Sequence, residues 1–293
     1  MTEASITLPV RDYDLGATLN SGQVFRWRPV ADGWEGVVNR RWVRLVQHPD
    51  HLVAQTAGPA GDWRWLAEYL QTDMDLAPVL ASFPPDPPLQ AARRACPGLR
   101  LLRQDPWECL VSFICSATKQ IVQIRQILAR LCERYGDAVA VPPGGAPAFA
   151  FPTPERLAAG SEAHLRDCRM GFRAPYVRAA AQRVCAGGLC LGELSRLPLE
   201  TARGRLMQSP GVGRKIADCV LLFAAGHATA FPLDVWLMKA LRTFYFHGRP
   251  VPLARLQQFS ATHFGPFAGY AQQYLFHYIR TVHGRAGDAL QIQ

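Results

Sequence analysis

The stretch Thr201-Ala-Arg-Gly-Arg-Leu-Met-Gln-Ser-Pro-Gly-Val-Gly-Arg-Lys-Ile-Ala-Asp-Cys219 decides the fold of the second half of the chain. It predicts a short helix, a Pro-Gly-x-Gly hairpin and a second helix that starts at the lysine. Gly211 and Gly213 allow the backbone to turn sharply and to approach a ligand closely. The amides of the turn and of the helix amino terminus would form a nest for an anion such as a DNA phosphate, and Arg214 adds positive charge beside it. An isolated motif of this kind also fits an ordinary corner between two helices.

Composition limits the class of protein. The 293 residues are 49% hydrophobic and 19% charged, which predicts a folded protein of one to three domains rather than a disordered chain. Lys and Arg number 32 against 23 Asp and Glu, and the net charge of +9 favours a polyanionic partner such as nucleic acid. A soluble protein with surplus surface arginine would carry the same charge, so charge alone does not settle the partner.

The cysteines and the amino terminus indicate the compartment. Eight cysteines are scattered without a Cys-x-x-Cys pair or histidines at ligand spacing, so we expect buried thiols in a reducing compartment and no metal. The amino terminus has no basic leader, and no apolar run approaches the roughly twenty residues of a membrane span. We therefore expect a cytoplasmic protein, associated with the nucleoid if the chain is bacterial, and no membrane partner.

The first part of the chain predicts a domain with an antiparallel sheet. Between Gln23 and Gln55 short alternating segments are separated by turn residues, which is typical of a meander. The predicted strands are Val24–Trp27, Trp34–Val38 and Trp42–Gln47. A helix is predicted over Trp63–Leu80. The proline-rich run Phe83–Pro88 then marks a boundary, because its prolines cannot continue a helix or pair within a sheet.

The rest of the chain predicts helices. The predicted segments are Trp107–Thr118, Gln120–Tyr135, Ala163–Met170, Ala174–Ala186, Thr201–Gln208, Arg214–Ala225, Val235–Phe246 and Phe267–Val282. The Pro- and Gly-rich segment Val141–Pro154 is expected to be a loop between two helical layers. The predicted fold class is α+β, with an antiparallel sheet and helices over residues 1–88 and an all-α region in two layers over residues 89–293.

The hairpin and its surroundings resemble the helix-hairpin-helix DNA glycosylases. Ser209–Cys219 is followed, nineteen residues after Lys215, by Asp234 in Phe-Pro-Leu-Asp-Val-Trp. Within that superfamily the resemblance is closest to the 8-oxoguanine DNA glycosylase/lyases and spans nearly the whole chain. The further motifs that carry it are Ser21-Gly-Gln-Val-Phe-Arg-Trp27, Phe113-Ile-Cys-Ser116, Gly171-Phe-Arg-Ala-Pro-Tyr176 and Gly269-Tyr-Ala-Gln-Gln-Tyr-Leu-Phe276. The resemblance implies a bifunctional enzyme that excises 8-oxoguanine and nicks the abasic site.

Lys215 and Asp234 are the catalytic residues that this resemblance implies. An amine that attacks the anomeric carbon of deoxyribose goes on to form an imine, which makes the neighbouring proton acidic enough for strand cleavage. Only a neutral amine attacks, and partial burial and the positive end of the helix favour the neutral form. Asp234 would stabilise positive charge on the sugar. The simpler alternatives are a solvated surface lysine and an aspartate that caps the helix from Val235.

Four residues are expected to bind the flipped base. By resemblance, Cys219 and Phe276 would sandwich the purine, and Gln272 would bond its pairing edge. The carbonyl of Gly22 would accept the proton that oxidation adds at N7, the contact that separates 8-oxoguanine from guanine. Alternatively, Cys219 and Phe276 are core residues, Gln272 is a solvated helix residue and Gly22 is a turn glycine.

Other residues are expected to meet the duplex. They are Thr118, Lys119, Gln120, Phe172, Arg173, Gly211, Gly213, Arg214 and Trp236. Several depart from the family pattern. The resemblance implies asparagines at 118–120, which fill the space left by the flipped base, a tyrosine at Phe172, which wedges into the base stack, and a histidine at Trp236. Gln123 stands where some members have an arginine that reads the opposite cytosine, so the preference for the opposite base is left open. Arg173 is expected to be available for the orphaned base or for a phosphate.

Three functions compete at this point. The leading one is the 8-oxoguanine glycosylase/lyase, a monomer that acts on double-stranded DNA with a damaged purine and needs no cofactor. Some relatives carry an iron–sulfur cluster on cysteines near the carboxyl terminus, but no cysteine follows Cys219 here. The second is an alkylated-purine DNA glycosylase, a group that activates water and generally lacks the hairpin lysine. The third is a non-catalytic DNA-binding protein that uses the hairpin only to hold phosphate.

Overall fold

The computed structural model describes residues 3–283 and begins with a five-stranded antiparallel sheet. Its strands follow the order β1-β5-β4-β3-β2, and Leu8 on β1 pairs with Leu52 on β5. Buried and more exposed residues alternate along β5, so one face of the sheet covers a core. The strands are β1 Glu3–Pro9, β2 Arg28–Val30, β3 Gly33–Val38, β4 Arg41–Gln47 and β5 His51–Ala57.

The predicted sheet is confirmed, but its strand assignments are only partly correct. The second and third predicted strands correspond to β3 and β4, whereas β1, β2 and β5 were not identified as separate strands. The prediction for Val24–Trp27 is wrong, because the segment has no strand partner, and side-chain contacts hold Gln23 just before it and Trp27 at its end. The Gln104 amide donates to the Gln23 carbonyl at 2.7 Å, and the Trp27 indole donates to the Tyr69 hydroxyl at 2.9 Å.

Helices make up most of the rest of the described chain. In a small hairpin, β6 (Ala138–Val139), just before the predicted loop, pairs with β7 (Ala148–Phe149), which lies inside it. A π-helical turn, Arg166–Met170, and short 3-10 segments link some of the helices. The α-helices are α1 Leu15–Asn20, α2 Arg64–Leu70, α3 Ala77–Ala81, α4 Pro87–Ala95, α5 Pro106–Ser116, α6 Ile121–Tyr135, α7 Pro154–Ala159, α8 Glu162–Leu165, α9 Ala174–Cys185, α10 Leu199–Met207, α11 Arg214–Phe223, α12 Val235–Tyr245, α13 Leu253–His263 and α14 Ala268–His283.

Seven of the helices predicted after the proline run match the structure within a few residues, and the prediction over Ala163–Met170 divides into α8 and the π-helical turn. The single helix predicted over Trp63–Leu80 is wrong, because Gln71 takes a left-handed φ of 55° and separates α2 from α3. The proline run also does more than interrupt the chain. Asp86 accepts a hydrogen bond from the Leu89 amide at 2.9 Å, so Pro87 and Pro88 occupy the first turn of α4, where proline is tolerated.

The described residues form two hydrophobic cores. The smaller lies between the sheet, α1 and α2, and the larger lies among the helices. Because Leu76, Val79 and Phe83 belong to the larger core, the helical core extends to both sides of residue 88, and the division there stays a prediction. Within it α5 packs against α11, which brings the carboxyl end of α5 to the start of α11. In residues 3–283 no helix is both long and apolar enough to span a membrane.

Candidate active site

Lys215 lies in the first turn of α11 and is half-buried. Its Nζ donates a hydrogen bond to Ser116 Oγ at 3.2 Å and lies 5.0 Å from the centroid of the Phe113 ring. Ser116 Oγ in turn donates to the Phe113 carbonyl at 2.7 Å, which leaves its lone pairs facing the lysine. The amine is therefore held by contacts with α5, in contrast to a freely solvated surface lysine.

Asp234 is the N-cap of α12, as its alternative interpretation predicted. Its Oδ1 accepts a hydrogen bond from the Leu237 amide at 2.8 Å. Burial raises the pKa of Asp234, while the hydrogen bond from Leu237 and the positive charge of Lys215 act in the opposite direction. The cap contact fixes the carboxylate on the cavity that Lys215 also lines. Asp234 can therefore cap the helix and still take part in chemistry.

A cavity of about 440 Å³ joins these two residues to five other predicted site residues. The seven predicted residues that line it are Gly22, Lys119, Gln120, Lys215, Asp234, Trp236 and Phe276. It is also lined by Phe113, Ser116, Lys239 and Arg280, which were not among the predicted site residues. The chain thus brings together residues up to 258 positions apart, from Gly22 to Arg280, around one opening.

Gly22 and Phe276 form a narrow part of this cavity. Gly22 has a left-handed φ of 78°, and a Cβ added there would lie 3.0 Å from Phe276 Cε1 and 3.3 Å from an Arg280 nitrogen. Both the backbone conformation and the space therefore require glycine. The Gln273 amide donates to the Ser21 carbonyl at 2.8 Å and anchors this turn to α14.

Cys219 and Gln272 lie behind the cavity and do not line it directly. Cys219 is 3% exposed, and burial raises the pKa of its thiol to about 12, so the sulfur is neutral. Gln272 is 4% exposed, and its Oε1 has no hydrogen-bond partner among the described residues. A buried acceptor without a partner is costly unless a ligand or water satisfies it.

The hairpin before α11 is held from behind by α9. Arg183 Nη1 donates to Ser209 Oγ at 2.8 Å and to the Arg205 carbonyl at 3.1 Å. Gly211 has a φ of 77°, and a Cβ there would lie 2.4 Å from Tyr176 Cγ. Gly213, by contrast, has a φ of −87° and open space around it, so the expected need for glycine holds only at Gly211.

Arg214 has one acidic neighbour on α10 and another on its own helix, α11. Its side chain is 43% exposed and lies 3.9 Å from Glu200 and 3.8 Å from Asp218. Asp218 is itself buried and accepts a hydrogen bond from Arg203 Nε at 2.6 Å. These long contacts leave the Arg214 guanidinium accessible to an anion at the hairpin.

The sequence comparisons identify the family. Residues 5–110 match the model for the 8-oxoguanine DNA glycosylase N-terminal domain, and residues 111–260 match the model for the HhH-GPD superfamily of base excision DNA repair proteins. This chain is an HhH-GPD protein of the 8-oxoguanine DNA glycosylase family. It is 30% identical to the N-glycosylase/DNA lyase OGG1 of Arabidopsis thaliana, over 94% of this chain and 78% of that protein.

Solved structures agree with this assignment to the 8-oxoguanine DNA glycosylase family. MBOgg1 in complex with a low affinity DNA ligand has a TM-score of 0.90 at 32% identity, covering 97% of this chain and all of that one. The Clostridium acetobutylicum 8-oxoguanine glycosylase/lyase, in complex with dsDNA containing cytosine opposite to 8-oxoG, has a TM-score of 0.88 at 29% identity, covering 95% and 98%. Both support the predicted α+β fold.

In this HhH-GPD protein two exposed turns flank the cavity. Thr118 is exposed with a left-handed φ of 57°, and the Gln120 amide donates to Gln123 Oε1 at 3.1 Å at the start of α6. Phe172, in the other turn, is 54% exposed. Exposure of a large aromatic ring suits the wedge role that the resemblance implies for Phe172.

Arg173 differs from the expectation that it is available for DNA. It is 2% exposed, and its guanidinium donates to the carbonyl of Ala117, to Thr118 Oγ1 at 2.6 Å and to the Met170 carbonyl at 3.3 Å. Both terminal nitrogens of the guanidinium are engaged inside the protein, whereas its buried Nε has no hydrogen-bond partner among the described residues. A contact of the terminal nitrogens with a base or phosphate would require these bonds to break.

Several residues that support the site were not predicted from the sequence. Ser116, Arg183 and Gln273 act through contacts across 99, 26 and 252 positions respectively. Ser116 and Gln273 lie inside motifs that carry the resemblance, which was the available indication of their importance. Arg183 lies outside those motifs, and nothing in the local pattern distinguishes it from a solvated arginine.

Proposed function

We propose that this chain is a bifunctional DNA glycosylase and abasic-site lyase that removes 8-oxoguanine from duplex DNA through an imine on Lys215. The observation that carries the proposal is the half-buried Lys215 amine, held beside Asp234 on the wall of a cavity large enough for a base. The N-glycosylase/DNA lyase and 8-oxoguanine glycosylase/lyase relatives support it. We also propose that it works as a monomer, in the cytoplasm and at the nucleoid of a bacterium.

The chemistry needs an amine with a free lone pair. The Nζ of Lys215 forms a bond to the anomeric carbon, and the bond from that carbon to the base breaks with its electrons passing to the base, which takes up a proton. Opening of the sugar then gives an imine. Loss of a proton from the adjacent carbon drives β-elimination of the 3′ phosphate and cuts the strand. The Asp234 carboxylate would stabilise the positive charge that develops on the sugar.

The base would bind in the cavity that Gly22 and Phe276 line. The Gly22 carbonyl would accept the extra N7 proton, Phe276 would stack on the ring, and Cys219 would form the opposite wall. The buried Gln272 Oε1, which lacks a partner in the described part of the chain, would accept a hydrogen bond from the pairing edge. The duplex would lie across the turns at Thr118–Gln120 and Phe172, the hairpin at Gly211–Arg214, and Trp236.

The test is a borohydride trap. We expect a covalent protein–DNA adduct on a duplex that carries 8-oxoguanine opposite cytosine and none on the undamaged duplex. Excision of alkylated purines without any adduct would instead favour the alkylated-purine glycosylase, because a water-activating enzyme forms no imine. Binding without base removal on any of these duplexes, with each opposite base, would leave only the phosphate-holding function.

Gly22→Ala is expected to reduce excision by about 10²-fold, because the added Cβ pushes Phe276 into the base site. Gly144→Ala is the matched control, since Gly144 has a φ of 77° but no atom within 4 Å of an added Cβ. Both variants should lose about 1 kcal/mol of stability from backbone strain. Single-turnover excision and thermal unfolding measure the two effects. Equal loss of excision in both variants would contradict a role for Gly22 in the base site.

A further inference from the structure

The two turns that flank the cavity share one buried guanidinium. Arg173 follows Phe172 directly, and the centre of its guanidinium lies 4.2 Å from the centroid of the Phe172 ring. The same guanidinium donates to the Ala117 carbonyl and the Thr118 hydroxyl in the turn between α5 and α6. Its remaining hydrogen bond goes to the Met170 carbonyl. A single side chain therefore contacts both turns.

Both turns are in conformations that need support. Thr118 is β-branched and has a φ of 57°, a left-handed conformation that such residues rarely adopt. On the other side, Arg169 has a φ of 64°, which is also uncommon for a residue other than glycine. Strained backbone of this kind persists only where surrounding contacts hold it. Arg173 makes such contacts with the first turn through Thr118 and with the second through Met170.

The burial of Arg173 indicates that these contacts are its main task. A buried charge is unfavourable unless it is well hydrogen-bonded, and within residues 3–283 its polar partners are two carbonyls and one hydroxyl rather than a carboxylate. A guanidinium spreads its donors over separate nitrogens in a planar fork, whereas a lysine carries its three donors on one atom. The site therefore requires an arginine specifically.

We propose that Arg173 is a positioning residue that ties the Phe172 turn to the Thr118 turn, so that the wedge and the side chains facing the vacated stack are held in one arrangement. The proposal rests on the proposed function, because extrusion of a base gives these two turns their task.

The first experiment compares two reactions of Arg173→Lys and Arg173→Gln. Excision of 8-oxoguanine from an intact duplex needs the base to be extruded, whereas borohydride trapping on a duplex with a preformed abasic site does not. We expect excision to fall about 10²-fold and trapping to fall less than about tenfold. Arg64→Gln, which removes one exposed positive charge on α2, is the control for lost electrostatic attraction. Equal losses in both reactions would overturn the proposal.

Rescue separates positioning from simple destabilisation. Glycine adopts a positive φ without help, so Thr118→Gly in the Arg173→Gln background should recover part of the lost excision, by about threefold or more. No recovery of excision in the double variant would overturn the proposal.

A double-mutant cycle on the melting temperature, measured without DNA, tests this proposal separately from the proposed function. Arg173→Gln should lower the melting temperature by roughly 5 °C, and by clearly less in a Thr118→Val background, where the hydroxyl acceptor is already gone. Additive shifts would overturn the tie between the turns even if the enzyme excises 8-oxoguanine. If the changes in melting temperature are coupled but the protein forms no adduct with DNA, the contact between the turns would be retained and the enzymatic function rejected.

Discussion

Replacing Lys215 with glutamine is expected to abolish the borohydride-trapped adduct and to slow 8-oxoguanine removal by roughly 10³-fold or more, as the loss of a covalent nucleophile does. Glutamine keeps a polar side chain of similar length that still reaches Ser116 Oγ, so the start of α11 should stay intact. The measurement is the yield of covalent adduct and the single-turnover excision rate, with the thermal unfolding temperature as a check on folding.

Lys239→Gln is the matched control, because Lys239 supplies a second amine on the wall of the same cavity. Its Nζ lies 5.6 Å from the centroid of the Trp236 ring. We expect this variant to retain the adduct. An adduct that persists in Lys215→Gln and disappears in Lys239→Gln would show that the nucleophile was assigned to the wrong lysine.

Local patterns predicted the parts of the site that depend on neighbours in sequence. The Pro-Gly-x-Gly motif placed the hairpin and the start of α11, and the position of Asp234 before an apolar helix predicted its N-cap contact, which the structure contains. Both depend on backbone geometry within a few residues. The break between α2 and α3 is also local, because it occurs at the left-handed Gln71. It was not predicted, because glutamine has no preference for that conformation.

Contacts between distant segments could not be predicted in this way. The interpretation of Val24–Trp27 as a strand failed because the segment has no strand partner. Its position depends on distant contacts, such as the one between the Gln104 amide and the Gln23 carbonyl, 81 residues apart. Arg173 was expected at the DNA surface because the sequence next to Phe172 gives no indication that Ala117 and Thr118 lie within reach. Whether an arginine is buried depends on which acceptors the fold brings to it, and one chain without an alignment does not contain that information.

The residues around Lys215 and Asp234 divide the work between stability and chemistry. Ser116 and the cap contact to Leu237 hold the two side chains, and both contacts belong to helix ends that meet only when α5, α11 and α12 pack together. Burial raises the pKa of Asp234, so its ionised form is maintained at a cost to folding. The two effects of Asp234 can be separated experimentally, because one substitution removes only its charge and another removes its capping oxygen as well.

Asp234→Asn and Asp234→Ala are expected to divide these two roles. Asparagine still accepts the Leu237 amide but carries no charge, so its stability should match or exceed that of the wild type at neutral pH, while excision falls by about 10²–10³-fold. Alanine removes the cap as well and should lose a further ~1 kcal/mol of stability. Thermal unfolding and single-turnover excision measure the two effects, and a loss of stability in Asp234→Asn equal to that in Asp234→Ala would contradict the division.

The pH dependence follows from the same carboxylate. Because burial raises the pKa of Asp234 above its ordinary value of 3.8, the wild type should lose excision as the pH falls through a value above 3.8. The sign for stability is opposite, since protonation relieves the cost of the buried charge and the contribution of this group to folding becomes more favourable as the pH falls. In Asp234→Asn the residual excision should no longer carry this acidic limb. An unchanged limb in that variant would assign it to another group and leave Asp234 as a helix cap alone.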